Sequence, residues 1–253
     1  MGYGKMKIQY CGFTDQGNKR NKNQDSIIMC ANDNTGLFVV ADGMGGHSMG
    51  EKASGTIIEH LQNWWNYFQN DTRQKHFSQL VKEIQTCLEQ ANQYIYETYN
   101  VDGVCGSTVV ALFVQNNQYA LFTCGDSRLY MYYKWKLQQI SMDDVWENQP
   151  NIINQYTQEQ KKNHPDYGKL ATAVGTSPCL QLRVSSGILT GKEKFLLCSD
   201  GLYRMCSEQD MKKALFAYKD EKSGVHGLKR MQSAVYANGA KDNCSVIMIK
   251  SGK

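Results

Sequence analysis

Proline is nearly absent from this chain. Only 3 occur in 253 residues, all in the second half, and no Gly/Ser- or Pro-rich stretch marks a linker. With nothing to divide it, residues 1–253 are expected to form one domain. No C-x-x-C pair occurs among the 9 cysteines, and their count is odd. Neither a zinc site nor a disulfide framework is suggested, and reduced thiols in a cytoplasmic protein fit best. No run approaches the about 20 apolar residues that cross a bilayer. The start, Met1-Gly2-Tyr3-Gly4-Lys5-Met6-Lys7, lacks the apolar core of a signal peptide, and position 6 is neither Ser nor Thr, against myristoylation. Charge of one sign is lacking too: Lys+Arg 28 against Asp+Glu 24 leaves +4, scattered along the chain. Neither nucleic acid nor a membrane is implied as a partner. The hydrophobic share of 41% and charged share of 21% are those of a soluble globular protein.

What is present centres on residues 37–48, Leu-Phe-Val-Val-Ala-Asp-Gly-Met-Gly-Gly-His-Ser. An apolar run bounded by turn residues reads as a buried strand that delivers Asp42 to a sheet edge. Gly43, Gly45 and Gly46 permit positive φ and close backbone approach. Ser48 with Glu51 has the spacing of a capping box, so the turn should feed a helix. Alone, this would be a βα connection with an acidic turn residue.

Short β-like runs are expected at 6–13 and 26–31, with the polar segment Thr14 to Asp25 between them. Ile57, Ile58, Leu61, Trp64, Trp65 and Phe68, then Phe77, Leu80, Val81, Ile84, Leu88, Ala91 and Ile95, recur at helical spacing and predict two long amphipathic helices. Residues 107–114 and 118–124 read as a hairpin through Gln115-Asn116-Asn117, with further strands at 129–133 and 137–140. From 141 to 178 periodicity fades, predicting an irregular flap with one short helix. A buried strand ends in Cys198, Ser207 with Asp210 opens a helix, a second helix carries Val225 to Val235, and a last strand spans 244–249. Strands in runs and helices in pairs point to an α+β layered domain with largely antiparallel sheets.

The acidic pattern of Asp42 recurs. Asp42 and Asp200 are each followed by Gly, Asp126 is preceded by Gly, and Asp242 stands just before the last strand. Strand ends that converge would bring these carboxylates together, and buried like charges need cations. Oxygen ligands without a Cys/His cluster select hard ions, Mg²⁺ or Mn²⁺. Two such ions about 3.5–4 Å apart can hold a bridging water, lower its pKa and clamp an oxyanion.

The set Arg20…Asn23-Gln24-Asp25, Ala41-Asp42-Gly43-Met44-Gly45-Gly46-His47, Gly106-Ser107-Thr108, Gly125-Asp126-Ser127-Arg128, Ser199-Asp200-Gly201 and Asp242-Asn243 resembles the metal-dependent type 2C Ser/Thr protein phosphatases, in order and across nearly the whole chain. The Gly-Met-Gly-Gly-His form and compact length look like the bacterial branch, and His164-Pro165 with Ala173-Val174-Gly175-Thr176 resembles the segment that closes their flap. The resemblance implies a four-layer α-β-β-α sandwich, two antiparallel sheets flanked by helix pairs, with the metals between the sheets. It implies Mn²⁺ or Mg²⁺ as cofactor. Asp42 would bridge two catalytic ions, the Gly43 carbonyl would ligate one, Asp200 and Asp242 the other, and Asp126 with Asp200 would hold a third, weaker ion. Arg20 would grip the substrate phosphate with its planar fork. Gln24, Asp25 and His47 are candidates for the surroundings of the ligands. Expected substrates are phosphoserine and phosphothreonine in proteins phosphorylated by a Ser/Thr kinase, hydrolysed without a phosphoenzyme by a monomeric enzyme.

Two departures matter. Gln24 stands where many members carry Glu, which should weaken the second-metal site, and Met44 stands where eukaryotic relatives carry a His proposed as general acid. The flap's Ser141-Met142-Asp143-Asp144 does not match the family pattern well, and Asp143 or Asp144 is offered as a ligand of the third ion. Three rival readings compete with this one. Cys198 to Arg204 has the C-x₅-R spacing of cysteine phosphatases, but Asp200 inside that loop would repel a phosphate dianion. A catalytically silent scaffold binding phosphoproteins should have lost metal carboxylates, and the four remain. A nucleotide-binding glycine loop fails because position 48 is Ser where a third glycine belongs.

Overall fold

The computed structural model describes residues 7–45, 49–100 and 103–252. Among these, β1 (Lys7–Asp15), β2 (Asp25–Ala31) and β3 (Thr35–Met44) lead into helices α1 (Met49–Asn70) and α2 (Phe77–Tyr99). Then come β4 (Gly106–Ser107), β5 (Val109–Gln115), β6 (Gln118–Cys124), β7 (Arg128–Tyr133) and β8 (Lys136–Gln139). A flap with α3 (Pro150–Ile153) and α4 (Gln158–Lys162) precedes β9 (Arg183–Ile188) and β10 (Lys194–Cys198). Helices α5 (Asp200–Tyr203), α6 (Glu208–Ala217) and α7 (Glu221–Ala237) and strand β11 (Cys244–Gly252) complete it.

Two antiparallel sheets result, one in the order β1-β11-β10-β7-β8, the other β2-β3-β5-β6-β9 with β4 paired to β3. The side-chain alternation of a strand explains the layering. On β3, Leu37, Val39 and Ala41 face α1 and α2, where they bury Ile57, Leu61, Leu80, Ile84 and Leu88. Phe38 and Val40 face the opposite sheet and meet Phe195, Leu197, Ile247 and Ile249. Leu196, Val246 and Met248 turn the other way, onto α6 and α7 through Met211, Leu215, Met231 and Val235. Helix pair, sheet, sheet and helix pair therefore stack as four layers, with the central strands β3, β5, β10 and β11 buried on both faces. That double burial is why the strands read as unbroken apolar runs rather than as alternations. Among the described residues no helix is long and apolar enough to cross a membrane.

The structure corrects the expectations in detail. β3 continues through Asp42 and Gly43 to Met44, so Asp42 lies within a strand and not at its end. The flap holds a 3₁₀ turn (Trp146–Asn148) and two short helices rather than one. β9 had no sequence signal, because its residues are mostly exposed and polar at a sheet edge. The hairpin loop is only Asn116-Asn117, since Gln115 already pairs with Gln118. Ser207 caps α6 by accepting the Asp210 N–H at 3.1 Å. Ser48, the capping half of the Ser48–Glu51 expectation, and His47 lie outside the described residues.

Candidate active site

Parity carries the acids inward. Asp42 follows Phe38 and Val40 on the face of β3 that looks between the sheets, and Asp25 follows the same rule on β2. The register sets Asp25 directly opposite Asp42. Like charges at opposed positions of neighbouring strands repel. Asp126 arrives from the turn after β6, Asp200 opens α5 after β10, and Asp242 precedes β11. Asp42, Asp126, Asp200 and Asp242 line one cavity of about 240 Å³ with Arg20, Gln24 and Gly43. Met44, Gly45, Thr108, Arg204 and Asn243 also line it, and Gly168 and Leu170 of the flap reach it. The chain thus gathers residues separated by more than 200 positions. Asp25 is buried behind the cavity wall, and His47 is not described.

The electrostatics are those of a site short of positive charge. Burial, then the neighbouring Asp25, Asp200, Asp126 and Asp242, lift the Asp42 carboxyl well above the usual carboxylate range. Burial likewise lifts Asp25 to about 6, against the lowering by hydroxyl donors Ser199 and Ser245, with Asp200 and Asp242 adding to the rise. Asp200 is also lifted to about 6, chiefly by burial, with Arg204 opposing and Asp126 and Asp242 adding. Ser199 Oγ donates to Asp25 Oδ2 at 2.7 Å, while Asp25 Oδ1 is buried with no hydrogen-bond donor among the described residues. A buried carboxylate oxygen left in that state costs about 1–3 kcal/mol. Divalent cations would relieve both costs, and the all-oxygen donor set suits hard ions. Among the described residues no three acidic side chains enclose an ion by themselves, and arginines hold part of the set. Arg20 Nη2 lies 2.7 Å from Asp242 Oδ2.

Backbone contacts fix the cavity floor. The Asp42 carbonyl accepts from Thr108 N–H at 2.8 Å and from Ser107 Oγ at 3.0 Å, and Asp42 N–H donates to Thr108 Oγ1 at 3.1 Å. Gly43 N–H donates to the Gln24 carbonyl at 3.1 Å. A Cβ on Gly43 would overlap the Gly50 carbonyl of α1, so only glycine lets helix and strand approach here. Asn243, quoted in the sequence only beside its acid, proves a clamp. Its Oδ1 accepts Gln24 N–H at 2.9 Å, and its Nδ2 donates to the Gln16 and Lys22 carbonyls, both at 2.9 Å. It thereby pins the loop that carries Arg20.

Cys198 is fully buried in β10, where burial pushes its thiol well above the ordinary range. A thiol so placed is no nucleophile, which removes the C-x₅-R reading. Arg204 turns instead to the acids, with Nη2 3.1 Å from Asp200 Oδ2 and 3.5 Å from Asp126 Oδ2. In the sequence Arg204 stands out only as the arginine of that loop. The flap acids pair with arginines, Asp143 with Arg128 at 2.7 Å and Asp144 with Arg183 at 2.7 Å.

Residues 16–233 match the family Protein phosphatase 2C. The serine/threonine phosphatase stp of Listeria welshimeri is 29% identical over 241 residues, 94% of this chain and 93% of that protein. Protein phosphatase PhpP of Streptococcus pneumoniae is 29% identical over 203 residues, 79% of this chain and 81% of that protein. Among solved structures, serine/threonine phosphatase Stp1 from Staphylococcus aureus superposes with a TM-score of 0.80 at 27% identity, covering 96% of this chain and 94% of that one. The catalytic domain of the phosphatase PstP, solved in complex with 2 manganese ions, shares the fold with a TM-score of 0.79 at 24% identity, over 98% of this chain and 100% of that one.

Proposed function

Because this chain belongs to the protein phosphatase 2C family, we propose that its acidic cavity is the active site of a metal-dependent Ser/Thr protein phosphatase. The observation that carries this is the gathering of Asp42, Asp126, Asp200 and Asp242 with Arg20 around one cavity, their charges unmet by enough cations. Asp42 and the Gly43 carbonyl, with Asp200 and Asp242, are the groups we assign to two Mn²⁺ or Mg²⁺ ions. When bound, such ions supply the positive charge that activates water toward phosphorus and neutralises the phosphate oxygens.

The chain's own residues do the rest. Arg20 is half exposed at the cavity mouth, so its guanidinium can turn from Asp242 to two phosphate oxygens of an incoming phosphoserine or phosphothreonine. Asp25 stands opposite Asp42, with its own carboxylate held by Ser199. Asn243 keeps the Arg20 loop against β11. Gln24 reaches the same cavity and, being neutral, would assist ion binding less than a carboxylate.

Residues 1–253 are read as one catalytic domain, because β1 and β11, from opposite ends of the chain, pair along their whole length. The substrates are read as phosphoproteins made by a Ser/Thr kinase, and the enzyme as a monomer. Nine unpaired cysteines support a reducing compartment such as the cytoplasm. The test is turnover of p-nitrophenyl phosphate and of a phosphothreonine peptide. Release of phosphate that depends on added Mn²⁺ and ceases with EDTA is expected. No metal-stimulated turnover would favour the silent phosphoprotein-binding scaffold, and activity blocked by iodoacetamide but not by EDTA would overturn the metal mechanism.

A further inference from the structure

The cavity end around Asp126 is built differently from the end around Asp242. Here three carboxylates meet three guanidiniums: Asp143 with Arg128, Asp144 with Arg183, and Asp126 with Arg204. Arg204 also reaches Asp200, so one guanidinium spans two of the cavity's acids. Its backbone is tied to the same turn, since Arg204 N–H donates to the Asp200 carbonyl at 3.0 Å. Tyr203 OH donates to Asp126 Oδ2 at 2.9 Å, and the Arg128 guanidinium lies 3.5 Å from the centre of the Tyr203 ring. The carboxylate oxygen that Arg204 approaches is thus already fixed by a second donor.

We propose that Arg204 is a built-in counter-cation that bridges Asp126 and Asp200 in place of a third metal ion. This rests on the reading that Asp42, Asp200 and Asp242 hold two ions. A tethered guanidinium sits at high effective concentration beside its acids, so an ion from solution must displace it. It also keeps its charge at every working pH. The flap offers no substitute ligand, because Asp143 accepts from Arg128 and from Gln139 Nε2 at 2.8 Å, and Asp144 from Arg183 and the Gly125 N–H at 3.3 Å. Arg204 is therefore a positioning residue for Asp200, half exposed at the rim of the site.

The test is Mn²⁺ binding to the metal-free full chain, read as ions bound per chain by the electron paramagnetic resonance of free Mn²⁺, with folding checked by circular dichroism. Wild type and Arg204→Lys are expected to saturate at two ions. Arg204→Ala should take up a third, at least about tenfold weaker than the others, and Arg204→Ala with Asp126→Asn should return to two. If Arg204→Ala does not fold, Arg204→Gln carries the same expectation. A third ion in the wild type that Asp126→Asn removes, or two ions in the folded Arg204→Ala or Arg204→Gln chain, overturns the proposal. A wild type that binds no Mn²⁺ sinks the two-ion reading itself, and this proposal with it.

Discussion

Asp42 faces Asp25 across two paired strands, and both carboxyl groups are withdrawn from water. Such a pair opposes folding until cations arrive, so function and stability pull apart at this residue. Asp42→Asn should abolish metal-dependent turnover yet raise the Tm of the metal-free protein by a few degrees, about 1 kcal/mol being worth about 2–4 °C in a chain of this size. Thermal melts in EDTA check it, and a lower Tm would contradict it. The same charges set a pH dependence. Asp25 and Asp200 have carboxyls lifted from 3.8 to about 6, so the folded state binds more protons than the unfolded one between those values. Metal-free stability should therefore fall as pH rises from about 4 to about 6. The lowered carboxylates, such as Asp15 and Asp210, act below that window. Denaturant melts across this range read it, and stability rising with pH there would be wrong for this site. Among the described residues Arg20 pairs with Asp242 at the half-exposed edge of the cavity. Arg20→Ala should raise KM roughly 10- to 150-fold, a charge-assisted hydrogen bond being worth about 1.5–3 kcal/mol, with a smaller change in kcat. A large kcat loss at constant KM, in steady-state kinetics, would contradict that role. At this scale the acids were legible because each sits beside a glycine or a strand border. Asn243 was not, since its partners lie 219–227 residues away and only the fold joins them, and Arg204 was not, because only the fold brings Asp126, 78 residues away, to the guanidinium that also meets its near neighbour Asp200.

Among the elements, the one-turn helix α5 does more than its length suggests. It sets Asp200 at its first position and presses Gly201 against the Asn243 backbone, next to Asp242. A Cβ at Gly201 would overlap the Asn243 carbonyl, which is backbone and cannot swing away. Gly201→Ala should push α5 and β11 apart and weaken Mn²⁺ affinity at least about tenfold, although it removes no ligand. Calorimetric titration checks this, and unchanged affinity would mean α5 does not register the acids. The long helices and buried strands were legible from periodicity, because Ile57, Leu61, Leu80 and Leu88 bury one face of a helix, and Phe195 to Cys198 both faces of a strand. The flap was not, because its order comes from contacts without period. Trp146 stacks on His164 with ring centres 4.0 Å apart, and Arg183 reaches back to Asp144. β9 escaped for the same reason: its strand character comes from pairing with β6, not from its own residues.

For the whole molecule, the layering explains why the site lies where it does. Two sheets pressed together by Phe38, Phe195, Leu197 and Ile247 form an apolar interior, and the acids stand where that apolar contact ends. The β1–β2 loop, β3, the turn after β6, α5 and the segment before β11 all contribute to it, so the centre exists only in the folded chain, and ions bound there should stabilise the fold by mass action. Anomalous diffraction at the manganese edge, from crystals soaked in Mn²⁺, tests this most directly. Two peaks are expected in the cavity, bordered by Asp42, Gly43, Asp200 and Asp242. A cavity without manganese density at saturating Mn²⁺, or ions held by other residues, would contradict the account.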